Sequence, residues 1–211
     1  DLAIRGAGNL LGAQQHGFID SVGFDLYSQM LKEAIDSRKL GKPVEAVQPF
    51  NPELLLSVDA YIPSSYIEDE KQKIDMYKQF QALETKEEIE DLKEEITDRF
   101  GDYPKEVDEL FLVSHMKMFA KRERVESIKE TGNTIELMLE EDRSQQVDGT
   151  KLFELAVEAG NNVQLGTIGK KLIIKIKFKQ ESLQERYMFV GDFIDKLGTV
   201  NQTEENEAVS N

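Results

Sequence analysis

No cysteine occurs among the 211 residues, which removes disulfides and thiolate metal sites from consideration. Histidine is nearly as scarce. His16 and His115 are the whole complement, too few by themselves for a usual zinc site. The chain has no apolar run of about 18 residues, the minimum for crossing a bilayer. Its start has neither the basic residues nor the apolar stretch of a secretory signal. These absences lead to the expectation of a cytoplasmic protein. Positive charge is also in deficit, with 26 basic against 41 acidic side chains and a formal charge of -15. Residues 1–52 hold five basic and six acidic side chains, so the excess negative charge lies beyond them. A field of that sign repels a phosphate backbone. It suits a basic protein partner, or simply solubility.

Glycine is abundant at one place. Gly6, Gly8, Gly12 and Gly17 fall in the stretch DLAIRGAGNLLGAQQHGFIDSVGF, where they permit turns that residues with a Cβ resist. The run GAGNLLG is neither GxxxxGK[ST] nor GxGxxG, so a nucleotide loop is not indicated. It reads either as a structural loop or as one that couples to another element through Arg5, whose guanidinium offers a rigid fork of donors. His16 has no neighbouring serine or cysteine and reads as a hydrogen-bonding loop residue. His115, in a stretch rich in Phe and Met, reads as a packed helix residue rather than a ligand.

Periodicity organises the remainder. Residues 24–39 are expected to be helical, with Leu26, Met30, Leu31, Ala34 and Ile35 on one stripe before Gly41 and Pro43. Three prolines within 42–53 mark a linker. LLLSVDAYIP, residues 54–63, reads as a strand ended by Pro63. A helix over 69–83 would turn Ile74, Tyr77, Phe80 and Gln81 inward. Thr85 is placed as N-cap of the next helix, with Glu88 as its capping-box partner and Gly101 closing it after Phe100. A third helix from Pro104 to about Arg122 carries the stripe Val107, Leu110, Phe111, Ser114, Met118 and Ala120. Strands are then expected at 125–129 and 134–139 around Gly132-Asn133, a helix capped by Thr150 at 151–159, strands at 163–168 and 171–178 about Gly169, and a last helix capped by Ser182 ending near Leu197. From residue 199 the tail lacks periodic apolar positions and is expected to be disordered. The fold class is α+β over residues 54–198: helices first, then two antiparallel strand pairs with intervening and C-terminal helices.

Two charged features compete as sites. The helix over 84–98 holds eight carboxylates and two lysines. Its Ile89, Leu92 and Ile96 stripe turns most of them to solvent, so it is either a solvated face or a docking face. Glu95, Asp98 and Arg99 at its end form a mixed-sign trio, and alternating signs fix register as well as attraction. A hydrolase built on these acids would need raised pKa values in a concave pocket, and outward-facing acids do not offer that. The second feature is the lysine-rich stretch 170–179, with Lys170, Lys171, Lys175, Lys177 and Lys179. It reads as a nucleic-acid stripe, testable by salt-dependent binding, or as protection of an edge strand.

The stretch RGAGNLLGAQQHGFIDSVGFDLY closely resembles the segment after the second motor domain in bacterial transcription-repair coupling factors (Mfd). LLSVDAYIPSSYIEDEKQKIDMYKQF and EEITDRFGDYPKEVDEL resemble the C-terminal TRCF domain of that family. The resemblance runs strongly to about residue 130 and in element order thereafter. It implies a parent that is an ATP-dependent double-stranded DNA translocase of the superfamily 2 helicase type, using ATP and magnesium. Such a parent displaces stalled RNA polymerase and recruits nucleotide excision repair. The resemblance places residues 1–41 at the end of the motor, in the translocation motif shared with RecG. There an arginine and a glutamine couple hydrolysis to stepping, and they fall on Arg5 and Gln15. It implies that 54–198 is an autoinhibitory domain that packs on a UvrB-like module and hides the UvrA-binding surface. The family's interface residues fall on Glu95, Asp98 and Arg99. The chain has no GKT loop and no DExx box. The expectation is therefore a noncatalytic C-terminal piece of the longer protein, with no metal or cofactor of its own.

Overall fold

A computed structural model describes residues 50–160 and 162–203. Arg5, Gln15, His16, the expected helix at 24–39 and most of the linker lie outside the described residues. These residues fall into two compact units, residues 58–114 and a second made of 50–57 with 115–203. The span expected as one domain is thus divided at Ser114.

The first unit contains helices α1 (Glu70–Gln81) and α2 (Lys86–Phe100) and the first part of α3 (Lys105–Arg122). Asp69 caps α1 by accepting from the Gln72 amide at 3.1 Å. Its inward residues are Lys73, Met76, Tyr77 and Phe80, whereas Ile74 and Gln81 are only half-buried. The 3.6-residue period was right and its phase was not: Lys73 is buried in place of an apolar residue, which shifts the stripe. α2 follows its expected pattern. The Glu88 amide donates to Thr85 Oγ1 at 3.1 Å, and the Glu88 carboxylate accepts from the Glu84 amide at 3.0 Å. Ile89, Leu92 and Ile96 are buried. α3 departs from expectation, because every residue from Glu109 to Ala120 is buried. The predicted stripe is inside, but so is the rest of the circumference, and a helix buried all round has no polar face to define a stripe.

The second unit is built on a mixed five-stranded sheet in the order β1-β2-β3-β5-β4. Its strands are β1 (Glu53–Leu55), β2 (Val125–Thr131), β3 (Thr134–Leu139), β4 (Val163–Ile168) and β5 (Lys171–Lys177). The two expected strand pairs join through antiparallel β3–β5 pairing, and β1 adds in parallel to β2. Register explains the two faces. Ile128, Leu137 and Ile174 align across three strands, Ile135 and Ile176 align across β3 and β5, and all five are fully buried. One residue along, Lys129, Glu136 and Lys175 align on the opposite face, as the period of two requires. Gly132 at φ +59° and Gly169 at φ +61° make the two hairpin turns.

Several expectations are corrected here. The strand placed at 54–63 has three residues, because beyond Leu55 the chain leaves β2. The Ser57 amide and hydroxyl then turn to the Glu130 carboxylate at 3.0 and 2.7 Å. A short helix, α4 (Glu141–Gln146), was not foreseen, since EDRSQQ shows no apolar period. Helix α5 (Gly149–Ala159) is capped by Asp148, which accepts from the Thr150 and Lys151 amides, and not by Thr150. Strand β5 is interior and β4 lies at the edge, so edge protection does not account for the lysines of β5. α6 (Leu183–Lys196) is capped by Ser182 as expected. The expected tail begins too early. Val200 is buried, its carbonyl accepts from the Asp148 amide at 2.8 Å, and Asn201 pairs with Val147.

Glu130 is the polar hub of this unit. Besides Ser57 it accepts from the Tyr187 hydroxyl at 2.5 Å and lies 3.9 Å from Arg186. Burial alone would raise its pKa. The hydrogen bonds from Tyr187 and Ser57 and the charge of Arg186 outweigh that and hold it below the usual carboxylate value. A lowered folded pKa means the contribution to stability is full above the ordinary carboxylate pKa and is lost as pH falls through the folded value. Urea midpoints measured between pH 6 and pH 3 are therefore expected to fall more steeply for the parent chain than for Glu130→Gln.

Candidate functional site

The trio Glu95, Asp98 and Arg99 sits in the last turns of α2. Asp98 is two positions beyond the buried Ile96, so at 100° per residue it points outward. It is exposed, and its side chain makes no hydrogen bond or ion pair among the described residues. Arg99 lies one turn beyond Glu95, and its Nη1 is 3.6 Å from Glu95 Oε1 with both side chains about two-fifths exposed. A pair of that geometry on an exposed helix contributes only about 0.3–0.5 kcal/mol. The same guanidinium lies over the Phe100 ring, 4.9 Å from its centroid, which adds about 0.5–1 kcal/mol at such a site. The structure thus brings Glu95 and Arg99 together and leaves Asp98 free beside them.

The end of α2 is fastened from outside the helix. Gly101, at φ +86°, closes it by donating its amide to the Thr97 carbonyl at 2.9 Å. A side chain at 101 would be strained there. The hydroxyl of Tyr66 lies 2.6 Å from the Gly101 carbonyl and 3.2 Å from that of Ile96. It donates chiefly to the Gly101 carbonyl just past the helix, with the Ile96 carbonyl as a longer second acceptor. Burial first, then the negative charge of Asp102 and neighbouring Tyr103, raise the Tyr66 phenol above its ordinary pKa, so it stays a donor. The Tyr66 ring meets Phe100 edge-on at 6.1 Å. Composition and charge alone pass over Tyr66. The available signal was a tyrosine directly after Pro-Ser-Ser, where a turn fixes its direction.

The other candidates resolve as follows. His115 is buried in α3, with Nε2 3.5 Å from Asp192 Oδ1 and its ring edge-on to Phe119. Among the described residues no group of three or more His, Asp or Glu side chains could hold a metal. The lysine stretch is largely paired with carboxylates: Lys170 with Glu141 at 3.8 Å, Lys171 with Glu126 at 2.8 Å and Lys175 with Glu136 at 3.8 Å. No described helix is long and apolar enough to cross a membrane.

Residues 56–150 match the TRCF domain. The transcription-repair-coupling factor of Bacillus subtilis (strain 168) is 57% identical over 185 residues, covering 88% of this chain and 16% of that protein. That of Staphylococcus haemolyticus is 45% identical over 181 residues, covering 85% and 15%. The chain therefore spans about a sixth of the length of these relatives. Among solved structures, the C-terminal domain of a transcription-repair coupling factor superposes with a TM-score of 0.63 at 23% identity, covering 70% of this chain and 93% of that one. That likeness speaks to the α+β fold alone. With the TRCF domain in its middle and relatives matching across most of its length, the chain belongs to the transcription-repair-coupling factor family.

Proposed function

We propose that residues 54–198 act as a noncatalytic regulatory domain of a transcription-repair coupling factor. In this reading the domain docks on a UvrB-like module of the same protein and masks the surface that would recruit UvrA. The parent is an ATP-dependent, magnesium-requiring DNA translocase that displaces stalled RNA polymerase. Residues 1–41 close its motor, with Arg5 and Gln15 coupling hydrolysis to movement, and 42–53 link the two parts. The observation that carries the regulatory reading is the end of α2. An outward carboxylate, Asp98, stands beside a stacked guanidinium, Arg99, and its paired carboxylate, Glu95. This is a surface of both signs on an ordered helix terminus, suited to recognising a partner by register.

The test is calorimetric titration of the 211-residue chain with the isolated UvrB-like module at low and moderate salt. Binding should weaken with salt. Reversing Asp98 to Lys, or Arg99 to Glu, should weaken it by about tenfold or more, within the range of buried charged contacts, with the circular dichroism and thermal midpoint of the chain preserved. Docking as tight as the parent in both variants would remove the trio from the interface. The alternative of a DNA-binding lysine strand draws no support from the pairing of Lys170, Lys171 and Lys175 with carboxylates. Its signature would be salt-dependent retardation of duplex DNA by the chain alone.

A further inference from the structure

The regulatory reading names the groups that would touch a partner but not what holds them ready. Arginine at a helix terminus has many rotamers and an unwinding backbone beneath it, and both freedoms are lost on docking. In this chain both are already restrained, and the restraint can be followed residue by residue within the first unit. Helix α1 buries Tyr77 and Lys73 one turn apart. The Tyr77 hydroxyl accepts from the Ile62 amide at 2.8 Å, and Lys73 Nζ donates to Ser64 Oγ at 2.8 Å. These two contacts pin the segment on either side of Pro63. The Tyr66 and Ile67 amides then close a turn on the Pro63 carbonyl at 3.0 and 3.1 Å. That turn aims Tyr66 at the Gly101 carbonyl just past α2 and at the Ile96 carbonyl one turn before the helix end, and its ring meets that of Phe100. The face of Phe100 carries Arg99. The two contacts differ in kind: the hydroxyl stops the last turn from fraying, and the ring orients a single side chain.

We propose that Tyr66 and Phe100 are positioning residues of the docking surface, a seat that holds Arg99 in the orientation in which it meets the partner. The proposal rests on the reading that Glu95, Asp98 and Arg99 dock the UvrB-like module. The seat acts through Arg99, so its effect on binding disappears when Arg99 is removed, whereas a general weakening of the unit would persist.

That difference is the test. The 211-residue chain and its Tyr66→Phe, Phe100→Leu and Arg99→Ala variants are titrated with the isolated UvrB-like module, as are the doubles Tyr66→Phe/Arg99→Ala and Phe100→Leu/Arg99→Ala. Tyr66→Phe removes one oxygen and keeps the ring, so it serves if Phe100→Leu disturbs folding. Expected is a threefold to tenfold loss of affinity for Tyr66→Phe, roughly as much for Phe100→Leu, and no further loss from either in the Arg99→Ala background. Faster exchange of the Gly101 amide in Tyr66→Phe should accompany it. If Tyr66→Phe binds like the parent while Arg99→Ala binds more weakly, the seat is refuted and the interface stands. Equal losses from Tyr66→Phe with and without Arg99 refute the seat in the same way. If Arg99→Ala binds like the parent, the interface reading fails and the seat fails with it.

Discussion

Replacing Arg143 by methionine should destabilise the second unit by about 3–5 kcal/mol, the cost of breaking a buried ion pair from one side. Arg143 is 4% exposed in the short helix α4. Its Nε donates to the Glu123 carbonyl at 3.1 Å, and Nη2 donates to Glu123 Oε1 at 3.2 Å and to the Leu197 carbonyl at 2.8 Å. One guanidinium therefore ties α4 both to the residue following α3 and to the residue following α6. Methionine fills similar volume but leaves two buried carbonyls and part of a buried carboxylate without their donor. Glu123 keeps a second partner in Arg122, whose Nε is 2.7 Å from Oε2, so the charge is not wholly abandoned and the loss belongs in the lower half of that range. Urea denaturation followed by circular dichroism measures it. The double variant Glu123→Gln/Arg143→Met should lose less than the sum of the singles, because the two side chains share one interaction. A loss below about 1 kcal/mol for the single variant would place the pair among contacts that merely balance their desolvation.

Gly191→Ala is expected to destabilise although alanine is the better helix former. In the middle of α6 the exchange would ordinarily gain about 0.5–1 kcal/mol. Here the added Cβ would lie 2.3 Å from His115 Cδ2 and 2.5 Å from Nε2. The obstacle is a buried imidazole held between Asp192 and Phe119, not the loose end of an exposed chain. Overpacking of this kind costs about 1–3 kcal/mol, enough to reverse the sign. A fall of the thermal midpoint by roughly 5–15 °C follows for a unit of this size. The double variant His115→Ala/Gly191→Ala should recover most of it, since the smaller side chain vacates the space. If Gly191→Ala is as stable as the parent, the close approach of α6 to His115 is looser than drawn. His115, expected from the sequence to be a packed helix residue, is by this account one whose ring sets the spacing between two helices.

Elements whose signal is local were legible in the sequence. Thr85, Ser182, Gly101, Gly132 and Gly169 each act through backbone groups within a few residues, so their chemistry is written beside the element they start or stop. The period-two pattern of β3 and β5 and the stripe of α2 were equally plain, because each has one wet and one dry face. The trio at the end of α2 could be picked out for the same reason: its exposure follows from the stripe it does not belong to. What failed was whatever depends on distant partners. Glu53–Leu55 stops where the chain turns away from β2 and Ser57 bonds the Glu130 side chain, and neighbouring β-formers could not extend it. Helix α3 hid its stripe because burial is continuous from Glu109 to Ala120. The lysines of β5 changed meaning once the topology put that strand inside the sheet, with Glu136 across from Lys175 and Glu126 of β2 in reach of Lys171. By itself the sequence determined the α+β class, the order of the elements other than α4, and the charged helix end. Only the tertiary structure decided that Tyr66 closes that helix end, that Arg143 joins three elements and that Gly191 makes room for His115. Such contacts join residues 20 to 76 positions apart, and no local periodicity encodes which of two distant side chains will share a buried site.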